Sequence, residues 1–302
     1  MLDHAPSCLL CGATSSYALT AFDRNREITD ERFIYNRCTA CGTVFLIDVP
    51  DDLAPYYTAG YHCFGPDGEP AWTRDSTFRE IEAFRTKLLA RHVEPGVLID
   101  IGAGPGSFVA ASKQAGYEVT AIEMDARCCD YIETSLGARA ICSDQPVEVL
   151  ATLGPARVIS LWHVLEHLRD PAEMMRTAAT RLELGGVLAL GVPNARSLQF
   201  SLLGSRWAHL DAPRHLSLSP AEALIGHGRG LGLRPLAAIT DDPFGRLCNF
   251  HGWVNALRPR PAHGDAGPVV ARCAQALAGA LGPVERRGRR GAALTLLFLK
   301  ED

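Results

Sequence analysis

A run of apolar residues in the first half of the chain ends in an acid and then turns through three alternate glycines. Residues 97–99 precede Asp100, and Gly102, Gly104 and Gly106 follow it. Glycine adopts backbone dihedrals that other residues avoid, and it lets a ligand approach the main chain where a Cβ would collide. The apolar run is typical of a buried parallel strand, and the next residues indicate a helix whose free N-terminal amides face the turn. The pattern therefore predicts a ligand-binding turn.

A second acid stands at the distance that a bound nucleoside requires. Glu123 ends another predicted strand, residues 118–122, and lies 21 residues after Gly102 (123 − 102). An acid about 20 residues past the first glycine, at the tip of the next strand, can accept hydrogen bonds from both ribose hydroxyls. The dinucleotide fingerprint G-x-G-x-x-G would need glycine at position 107, where this chain has Ser107. The spacing favours a nucleoside cofactor, with a nicotinamide enzyme and a ligand-free glycine turn as the alternatives.

Four cysteines near the start of the chain have the spacing of metal ligands. Cys8 and Cys11 form one C-x-x-C-G unit and Cys38 and Cys41 form another, with 26 residues between the units. Such thiolates can surround Zn²⁺ tetrahedrally, and the glycine after each pair permits a tight turn. Alternating segments between the pairs predict the strands of a small ribbon. Because all four ligands are cysteines, we expect structural zinc with no open coordination position; free thiols are the alternative.

A third cluster of reactive side chains follows a predicted strand over residues 158–161. His163, Glu166 and His167 stand at spacings of three and four residues, which suits a metal ion. Glutamate and histidine at the start of a helix more often cap it and pack against it. The sequence leaves both interpretations open.

Residues 207–219 concentrate tryptophan, histidine, aspartate and arginine beyond the tip of a predicted fifth strand. Strand tips of an open α/β sheet form its binding crevice, so these side chains would line it. His215 is the candidate general base because histidine titrates near neutral pH, and Arg214 can grip a carboxylate or phosphate with two hydrogen bonds. His209 and Asp211 are secondary candidates. The alternative is that Arg214 and His215 cap and pack the next helix.

Composition restricts the classes of protein to be considered. The chain has 302 residues, of which 47% are hydrophobic and 21% charged, enough for one large domain and an appendage. Its net charge of −4 disfavours a nucleic-acid partner. No apolar run reaches the roughly 18 residues that span a membrane, and the N-terminus lacks a basic signal-peptide start. Ten cysteines in such a chain indicate reduced thiols and metal ligands. We expect a cytoplasmic protein with no membrane partner.

The order of predicted elements gives the architecture. Strand and helix patterns alternate from residue 97 to 240, and a closing strand follows at 292–299, which predicts a doubly wound, seven-stranded α/β sheet. We expect the closing strand to be antiparallel at the edge of the sheet, the first helix to start at a capping box beginning at Thr77, and residues 241–267 to be irregular. The predicted domains are a ribbon at 1–50, an aromatic lid segment with a leading helix at 51–94, and a main domain at 95–302 with substrate-side insertions at 195–218 and 241–267.

Over residues 95–245 or so, these motifs resemble the class I S-adenosylmethionine-dependent methyltransferases. The acid-x-G-x-G-x-G motif at 100–106 matches the first motif of that family, and Glu123 matches its ribose-binding acid. Residues 162–168, Trp-His-Val-Leu-Glu-His-Leu, are similar to the fourth motif of a small-molecule branch that includes the ubiquinone-pathway O-methyltransferases. RNA-modifying relatives more often carry an Asn-Pro-Pro-Tyr-like turn at this place. The cysteine module resembles the zinc-binding module of certain sugar C-methyltransferases.

The resemblance implies a Rossmann-like fold that binds S-adenosylmethionine. Met124 would lie against the adenine, and Asp144 would accept its amino group unless it is an ordinary loop residue. Tyr57 and Tyr61 would form a lid, or else join the ribbon to the main domain. The implied cofactor contacts are Asp100, Gly102, Gly104, Gly106, Glu123, Met124, Asp144, Trp162 and Tyr61.

The resemblance also bears on chemistry. His215 stands where the zinc-module group has a histidine, but Arg214 replaces a glutamate, which weakens C-methylation and suits an anionic substrate. Some ubiquinone-type enzymes hold a divalent cation at the fourth motif, with an acid in the place of His163.

We expect methyl transfer to a small molecule, by O- or C-methylation of a sugar or natural-product intermediate, with His215 as general base. One alternative is a ribosomal or transfer RNA methyltransferase whose ribbon binds RNA. Another is a non-catalytic, cofactor-binding assembly partner.

Residues 241–267 would be a second lid or an oligomer contact, which leaves a homo-oligomer open. The basic run at 285–290 is typical of a solvated loop, with polyanion binding as its alternative.

Overall fold

The computed structural model describes residues 6–57, 64–65, 67–259 and 267–301. Within these ranges the chain forms nine α-helices and eleven strands, and the strands make two sheets. The strands are β1 Ser15–Ala21, β2 Phe33–Cys38, β3 Val44–Leu46, β4 Val97–Ile101, β5 Glu118–Glu123, β6 Arg139–Cys142, β7 Ala156–Trp162, β8 Leu182–Pro193, β9 Ser217–Leu218, β10 Leu233–Ile239 and β11 Ala293–Lys300. The helices are α1 Ser76–Leu89, α2 Ser107–Gln114, α3 Ala126–Thr134, α4 Pro146–Thr152, α5 Pro171–Arg181, α6 Leu198–Leu203, α7 Ala221–Gly230, α8 Pro243–Leu257 and α9 Gly267–Arg286.

The larger sheet confirms the predicted α/β class. Its seven strands run in the order β10-β11-β8-β7-β4-β5-β6. Strands β4 to β8 are parallel to one another, whereas β11 is antiparallel to both of its neighbours, β8 and β10. The central strands are buried on both faces, as their continuous Val, Leu and Ile content requires. No described helix is both long and apolar enough to cross a membrane.

The position of β11 differs from the prediction. It lies second from the end, between β8 and β10, and not at the edge. Its first six residues are all buried, whereas most of β10 is half-buried. A strand that is apolar on both faces is stabilised by neighbours on both sides, so the more polar β10 takes the edge.

The smaller sheet joins the N-terminal ribbon to the main domain. Strands β1, β2 and β3 form an antiparallel ribbon, and β9 adds to it as a fourth strand. In that pairing Val44 lies opposite Leu218 and Phe45 opposite Ser217. The ribbon's sheet is therefore completed by two residues that follow His215 closely in the chain.

Two helices differ from the sequence prediction. Helix α1 begins at Ser76, because the side chain of Asp75, and not that of Thr77, caps it by accepting a hydrogen bond from the Thr77 amide. Residues expected to be irregular form α8, whose first turn is capped by Asp242. Its buried positions are small, polar or aromatic, so the aliphatic stripe that identifies a helix in a sequence is missing; they are Gly245, Cys248, Asn249, Gly252 and Trp253.

Candidate active site

The glycine turn lies between β4 and α2, and each glycine has its own structural reason. Gly102, Gly104 and Gly106 have φ values of 66°, 52° and 83°, which only glycine adopts without strain. A Cβ at Gly102 would lie 2.3 Å from Val164 Cγ2, and one at Gly106 would lie 2.6 Å from Leu136 Cδ1. The turn is therefore packed tightly against the segment after β7 on one side and the end of α3 on the other.

Glu123 is held by main-chain amides at the tip of β5. Its Oε2 accepts from the Gly104 amide at 2.8 Å. Its Oε1 accepts from the amides of Met124 and Asp125 at 2.8 and 2.9 Å. Three amide donors fix the carboxylate beside the glycine turn, where an acid can accept from ribose hydroxyls.

Two further predicted contacts lie on the surface beside Glu123. The side chain of Met124 is 56% exposed, and Asp144, in the loop after β6, is also exposed. The Ser143 amide donates to the Glu123 carbonyl at 2.9 Å, which brings the two loops together. Met124 and Asp144 therefore lie on neighbouring loops beside Glu123. Tyr61 is outside the described residues.

Beneath the turn, two predicted contacts are buried. Asp100 is 2% exposed, and its Oδ1 accepts from the Ser160 hydroxyl at 2.7 Å. Burial raises the pKa of Asp100 to about 7. Trp162, at the end of β7, has a buried indole Nε1 with no hydrogen-bond partner among the described residues. A buried donor without an acceptor is costly, so this atom fits a site that a ligand completes.

Sequence reasoning missed a buried ion pair on α1. Arg85 Nη1 lies 3.2 Å from each carboxylate oxygen of Glu82, and Glu82 also accepts from the Ser107 hydroxyl at 2.7 Å. The guanidinium lies over the Trp162 ring at 4.1 Å and near the Phe244 ring at 5.3 Å. The signal was available, because the two charges stand three residues apart on the helix face that carries the apolar stripe.

His215 lies in the loop before β9 with one ring nitrogen occupied and the other available. Its Nδ1 is 2.8 Å from the His209 carbonyl oxygen. A carbonyl only accepts, so Nδ1 carries the proton and Nε2 carries the lone pair. Asp211 Oδ2 lies 3.9 Å from Nε2, close enough to stabilise a positive charge on the ring. The side chain is 12% exposed, so a small substrate can reach it.

His167 packs beside His215. The two ring centroids are 4.7 Å apart with the rings nearly perpendicular. His167 Nδ1 lies 3.0 Å from both the Tyr57 hydroxyl and the Arg214 carbonyl oxygen. Burial lowers the pKa of His167 to about 4, so its ring is neutral at pH 7. Of the two tyrosines predicted to form a lid, the described one therefore touches this cluster.

Glu166 is buried in the same cluster without a hydrogen-bond donor. The residue is 2% exposed, and neither carboxylate oxygen has a hydrogen-bond partner in the described parts of the chain. Burial raises the pKa of this carboxyl group. One ligand atom each from Glu166, His167 and His215 lie within 4.8 Å of one another. That donor set, in which His215 stands in place of the predicted His163, can hold a divalent cation.

His163 occupies a different position from the one its spacing indicated. Its φ is 62°, a strained value for a residue with a side chain. Its ring stacks on Phe244 with centroids 4.3 Å apart, and its Nδ1 is 3.3 Å from Glu166 Oε1. Burial lowers the pKa of His163 to about 3. His163 therefore packs α8 against the cluster as a neutral ring.

The prediction that Arg214 grips a substrate is wrong. Its side chain is fully buried, with Nη2 lying 2.6 Å from Asp23 Oδ1 and 2.7 Å from Asp211 Oδ1. These two carboxylates accept the hydrogen bonds that the guanidinium could otherwise donate to a substrate anion, and no such anion can reach the buried group. Arg214 instead ties the loop that carries His215 to the ribbon.

Other contacts reinforce that connection. The Tyr35 hydroxyl on β2 donates to the His215 carbonyl at 2.8 Å, and the side-chain amide of Asn25 donates to Asp211 at 2.8 Å. His209 Nε2 lies 2.9 Å from the Cys248 carbonyl, and burial lowers the pKa of His209 to about 4. His209 and Asp211 therefore belong to the framework of this loop.

The four N-terminal cysteines come together at the end of the ribbon. Cys8 Sγ is 3.7 Å from Cys41 Sγ, and Cys11 Sγ is 3.5 Å from Cys38 Sγ. All four sulfur atoms lie within 4.8 Å of one another. A tetrahedral zinc with bonds of about 2.3 Å has sulfur atoms about 3.8 Å apart. The cluster therefore has nearly the dimensions of such a site.

Comparison with known proteins gives the family. The family model for the methyltransferase domain matches residues 73–238, more than half of the chain. The ubiquinone biosynthesis O-methyltransferase of Stutzerimonas stutzeri is 26% identical over 190 residues, which cover 57% of this chain and 82% of that protein. The corresponding enzyme of Chromobacterium violaceum is 24% identical over 198 residues, which cover 60% and 85%.

A solved structure was also matched. The crystal structure of a SAM-dependent methyltransferase from Archaeoglobus fulgidus gives a TM-score of 0.49 at 16% identity, covering 74% of this chain and 97% of that one. The extent of the family match, together with the seven-stranded sheet and its glycine turn, shows that this chain belongs to the methyltransferase domain family as a class I S-adenosylmethionine-dependent methyltransferase.

Proposed function

We propose that this enzyme methylates a hydroxyl group of a small molecule, with His215 as the general base. The observation that carries the proposal is the available Nε2 of His215, in a cluster that residues 164–166 connect to the cofactor turn. The ubiquinone biosynthesis O-methyltransferases among its relatives support oxygen as the acceptor atom. A sugar or natural-product intermediate is the acceptor class that we propose.

The general-base role follows from the tautomer of His215. Because Nδ1 donates to the His209 carbonyl, Nε2 can accept the proton of an acceptor hydroxyl. The nearby carboxylate of Asp211 then stabilises the imidazolium. The oxygen attacks the methyl group in line as the bond from that carbon to the leaving group breaks, and no other proton transfer is needed.

The position of this base relative to the cofactor depends on the turn after β7. Val164 packs on Gly102 of the cofactor turn. Two residues later, the Glu166 carbonyl accepts from the Leu216 amide at 2.7 Å. One short segment therefore touches both the cofactor turn and the loop that carries His215. This proximity supports positioning of the nucleophile against the methyl group as a large part of the acceleration.

We assign the cofactor to the residues around the glycine turn. S-adenosylmethionine supplies the electrophilic methyl group when it is bound. Glu123 would accept from the ribose, Met124 and Asp144 would border the adenine, and the buried Trp162 Nε1 would donate to the cofactor. Arg85, above the Trp162 ring, would face the carboxylate of the methionine portion.

We further propose that the four cysteines bind structural zinc. The sulfur spacing supports this, as do amides directed at the sulfurs: the Leu10 and Ala40 amides lie 3.4 Å from Cys8 Sγ and Cys38 Sγ. With four thiolate ligands, zinc has no position left for substrate. Metal analysis of the purified protein should find one zinc per chain.

The test of the function is transfer of isotope-labelled methyl from S-adenosylmethionine into a host extract that is separated into small-molecule, RNA and protein fractions. Wild type is compared with His215→Ala and with His92→Ala, which changes an exposed histidine between α1 and the amino end of β4. We expect label in the small-molecule fraction, lost in His215→Ala and retained in His92→Ala. Label in RNA would overturn the proposal, and a labelled product with a new carbon–methyl bond would replace O-methylation by C-methylation.

A further inference from the structure

A cavity lies where the ribbon meets the segment after β8. It has a volume of about 610 Å³. One side of it is formed by strands β1 and β2 of the ribbon, and the other by the segment after β8 and the turn before β11. Phe200 forms part of its wall and stacks on the buried Trp207, with ring centroids 5.1 Å apart. The Trp207 ring in turn packs against the His209 ring, with ring centroids 5.3 Å apart. An aromatic layer therefore separates this cavity from the proposed catalytic cluster.

The cavity concentrates positive charge in a chain whose net charge is −4. Four arginines and one glutamate line it: Arg37, Arg196, Arg289, Arg290 and Glu222. Glu222 lies 3.7 Å from Arg196. Within the described ranges, the other three arginines have no acidic partner. The basic run of residues 285–290, for which the sequence left a solvated loop and polyanion binding as alternatives, is therefore combined with charges from two distant segments.

The loops that carry these arginines are fixed to each other. The side-chain amide of Asn194 donates to the carbonyls of Arg289 and Gly291, both at 2.9 Å, and its Oδ1 accepts from the Arg196 amide at 3.0 Å. The Leu198 amide donates to the Arg290 carbonyl at 2.9 Å. Asn194 is 2% exposed, so this connection is shielded from water. The arginines are presented by an organised loop pair, which lowers the entropy lost on binding.

One backbone feature and one electrostatic feature indicate that the positions of these arginines cost free energy in the unliganded protein. Arg289 has a φ of 59°, a conformation that residues with side chains rarely adopt. Arg37 lies near Arg196, and burial together with that neighbouring charge lowers the pKa of Arg37. Like charges brought together at one cavity are relieved by a bound anion.

We propose that this cavity binds a phosphorylated small molecule. Guanidinium groups match phosphate oxygens with paired hydrogen bonds, and several of them can hold a diphosphate. The apolar wall formed by Leu19, Leu198 and Phe200 would receive the carbon skeleton of the ligand. The site is separate from the cofactor site and goes beyond the proposed methyl transfer.

The test is binding of inorganic pyrophosphate to the intact protein, measured by calorimetry with S-adenosylhomocysteine at saturation so that the cofactor turn is filled. Wild type is compared with the double variant Arg289→Ala/Arg290→Ala. The matched control is Arg91→Ala/Arg139→Ala, which removes two exposed arginines at the amino ends of the sheet's strands. A further variant, Arg37→Ala, tests the contribution of the ribbon.

We expect one pyrophosphate per chain, with affinity at least about tenfold weaker in Arg289→Ala/Arg290→Ala, weakened in Arg37→Ala and unchanged in the control. Equal weakening in both double variants would overturn the site in favour of nonspecific charge attraction. No saturable binding to wild type would also overturn it. Saturable binding of a single-stranded RNA oligonucleotide through the same arginines, without binding of pyrophosphate, would replace the small molecule by a nucleic acid.

Discussion

The two sides of the proposed site are held in place by different kinds of contact. On the cofactor side, main-chain amides of adjacent turns fix Glu123, and the glycine turn follows directly from its own strand and helix. On the acceptor side, side chains from remote parts of the chain fix His215: Tyr35 is 180 residues away from it, and Asp23 is 191 residues away from Arg214. Damage to the ribbon should therefore disable the acceptor side and leave cofactor binding intact.

The largest effect on the acceptor side is expected from removal of a zinc ligand. Cys11→Ser should destabilise the protein by several kcal/mol, because structural zinc supplies on the order of 10 kcal/mol in small zinc domains. It should also lower kcat about a hundredfold, since Tyr35 and Asp23 no longer position the His215 loop. The affinity for S-adenosylhomocysteine should stay within about threefold.

The measurements for that variant are zinc content, denaturant unfolding, turnover and calorimetric cofactor binding. Cys273→Ser, which changes an exposed cysteine outside the N-terminal cluster, is the control and should match wild type in all four. Loss of cofactor binding in parallel with turnover would show that the two sides depend on the ribbon equally.

The next largest effect is expected from Arg214→Met. This change leaves the buried carboxylates of Asp23 and Asp211 without their cation, and breaking a buried pair in this way costs about 3–5 kcal/mol. Turnover should fall with stability, again with cofactor affinity preserved. Arg234→Met, which removes a half-exposed pair with Glu301, should cost under about 1 kcal/mol.

Low pH should imitate part of that damage. Burial opposes ionisation of Asp211, but the hydrogen bonds and charge of Arg214 outweigh it and hold the Asp211 pKa below its usual range. The contribution of this pair is therefore complete above the unfolded value of about 3.9 and is lost as pH falls below it. Unfolding titrations from pH 5 to 2 should show a steeper loss of stability in wild type than in Arg214→Met.

Glu123→Gln tests the cofactor side alone. The substitution replaces one carboxylate oxygen by an NH2 group, which cannot accept from the main-chain amides that bind both oxygens of Glu123. The charge that attracts the ribose hydroxyls is also lost, so the affinity for S-adenosylmethionine should fall at least about tenfold. At saturating cofactor, kcat should stay within about threefold. Glu118→Gln, at the other end of the same strand, is the control. A fall in kcat at unchanged affinity would contradict the division into two sides.

The smallest effect concerns His167. Burial lowers its pKa to about 4, so the unfolded chain takes up its proton at a higher pH than the folded one. The stability due to the neutral ring is present above about pH 6.5 and is lost as pH falls toward 4. Denaturant unfolding between pH 7 and 4 should show a smaller slope for His167→Gln than for wild type, and an identical slope would assign the pH dependence to other groups.

This difference between local and remote contacts also explains which features the sequence predicted. The turn from Asp100 to Gly106 and the acid at Glu123 depend on neighbours along the chain, so their spacing was sufficient. The role of Arg214 was wrong because one of its partners, Asp23, lies in another domain of the prediction. His215 was grouped separately from Glu166 and His167, although the fold brings all three together.

Two fold features were missed for physical reasons. Helix α8 buries glycine, cysteine and asparagine, so no aliphatic periodicity marks it. The inner position of β11 is decided by competition with β10 for burial, which depends on both strands at once. Patterns within one segment do not contain that information.

The pairing of β3 with β9 has a consequence for how the chain is made. The partner of Val44 is Leu218, which is synthesised 174 residues later (218 − 44). At about 5–20 residues per second, the ribbon waits on the order of ten seconds or more for its fourth strand. During that interval the edge of β3 is open to pairing with other chains. The segment around His215 therefore closes a strand edge that every newly made copy of this protein first exposes.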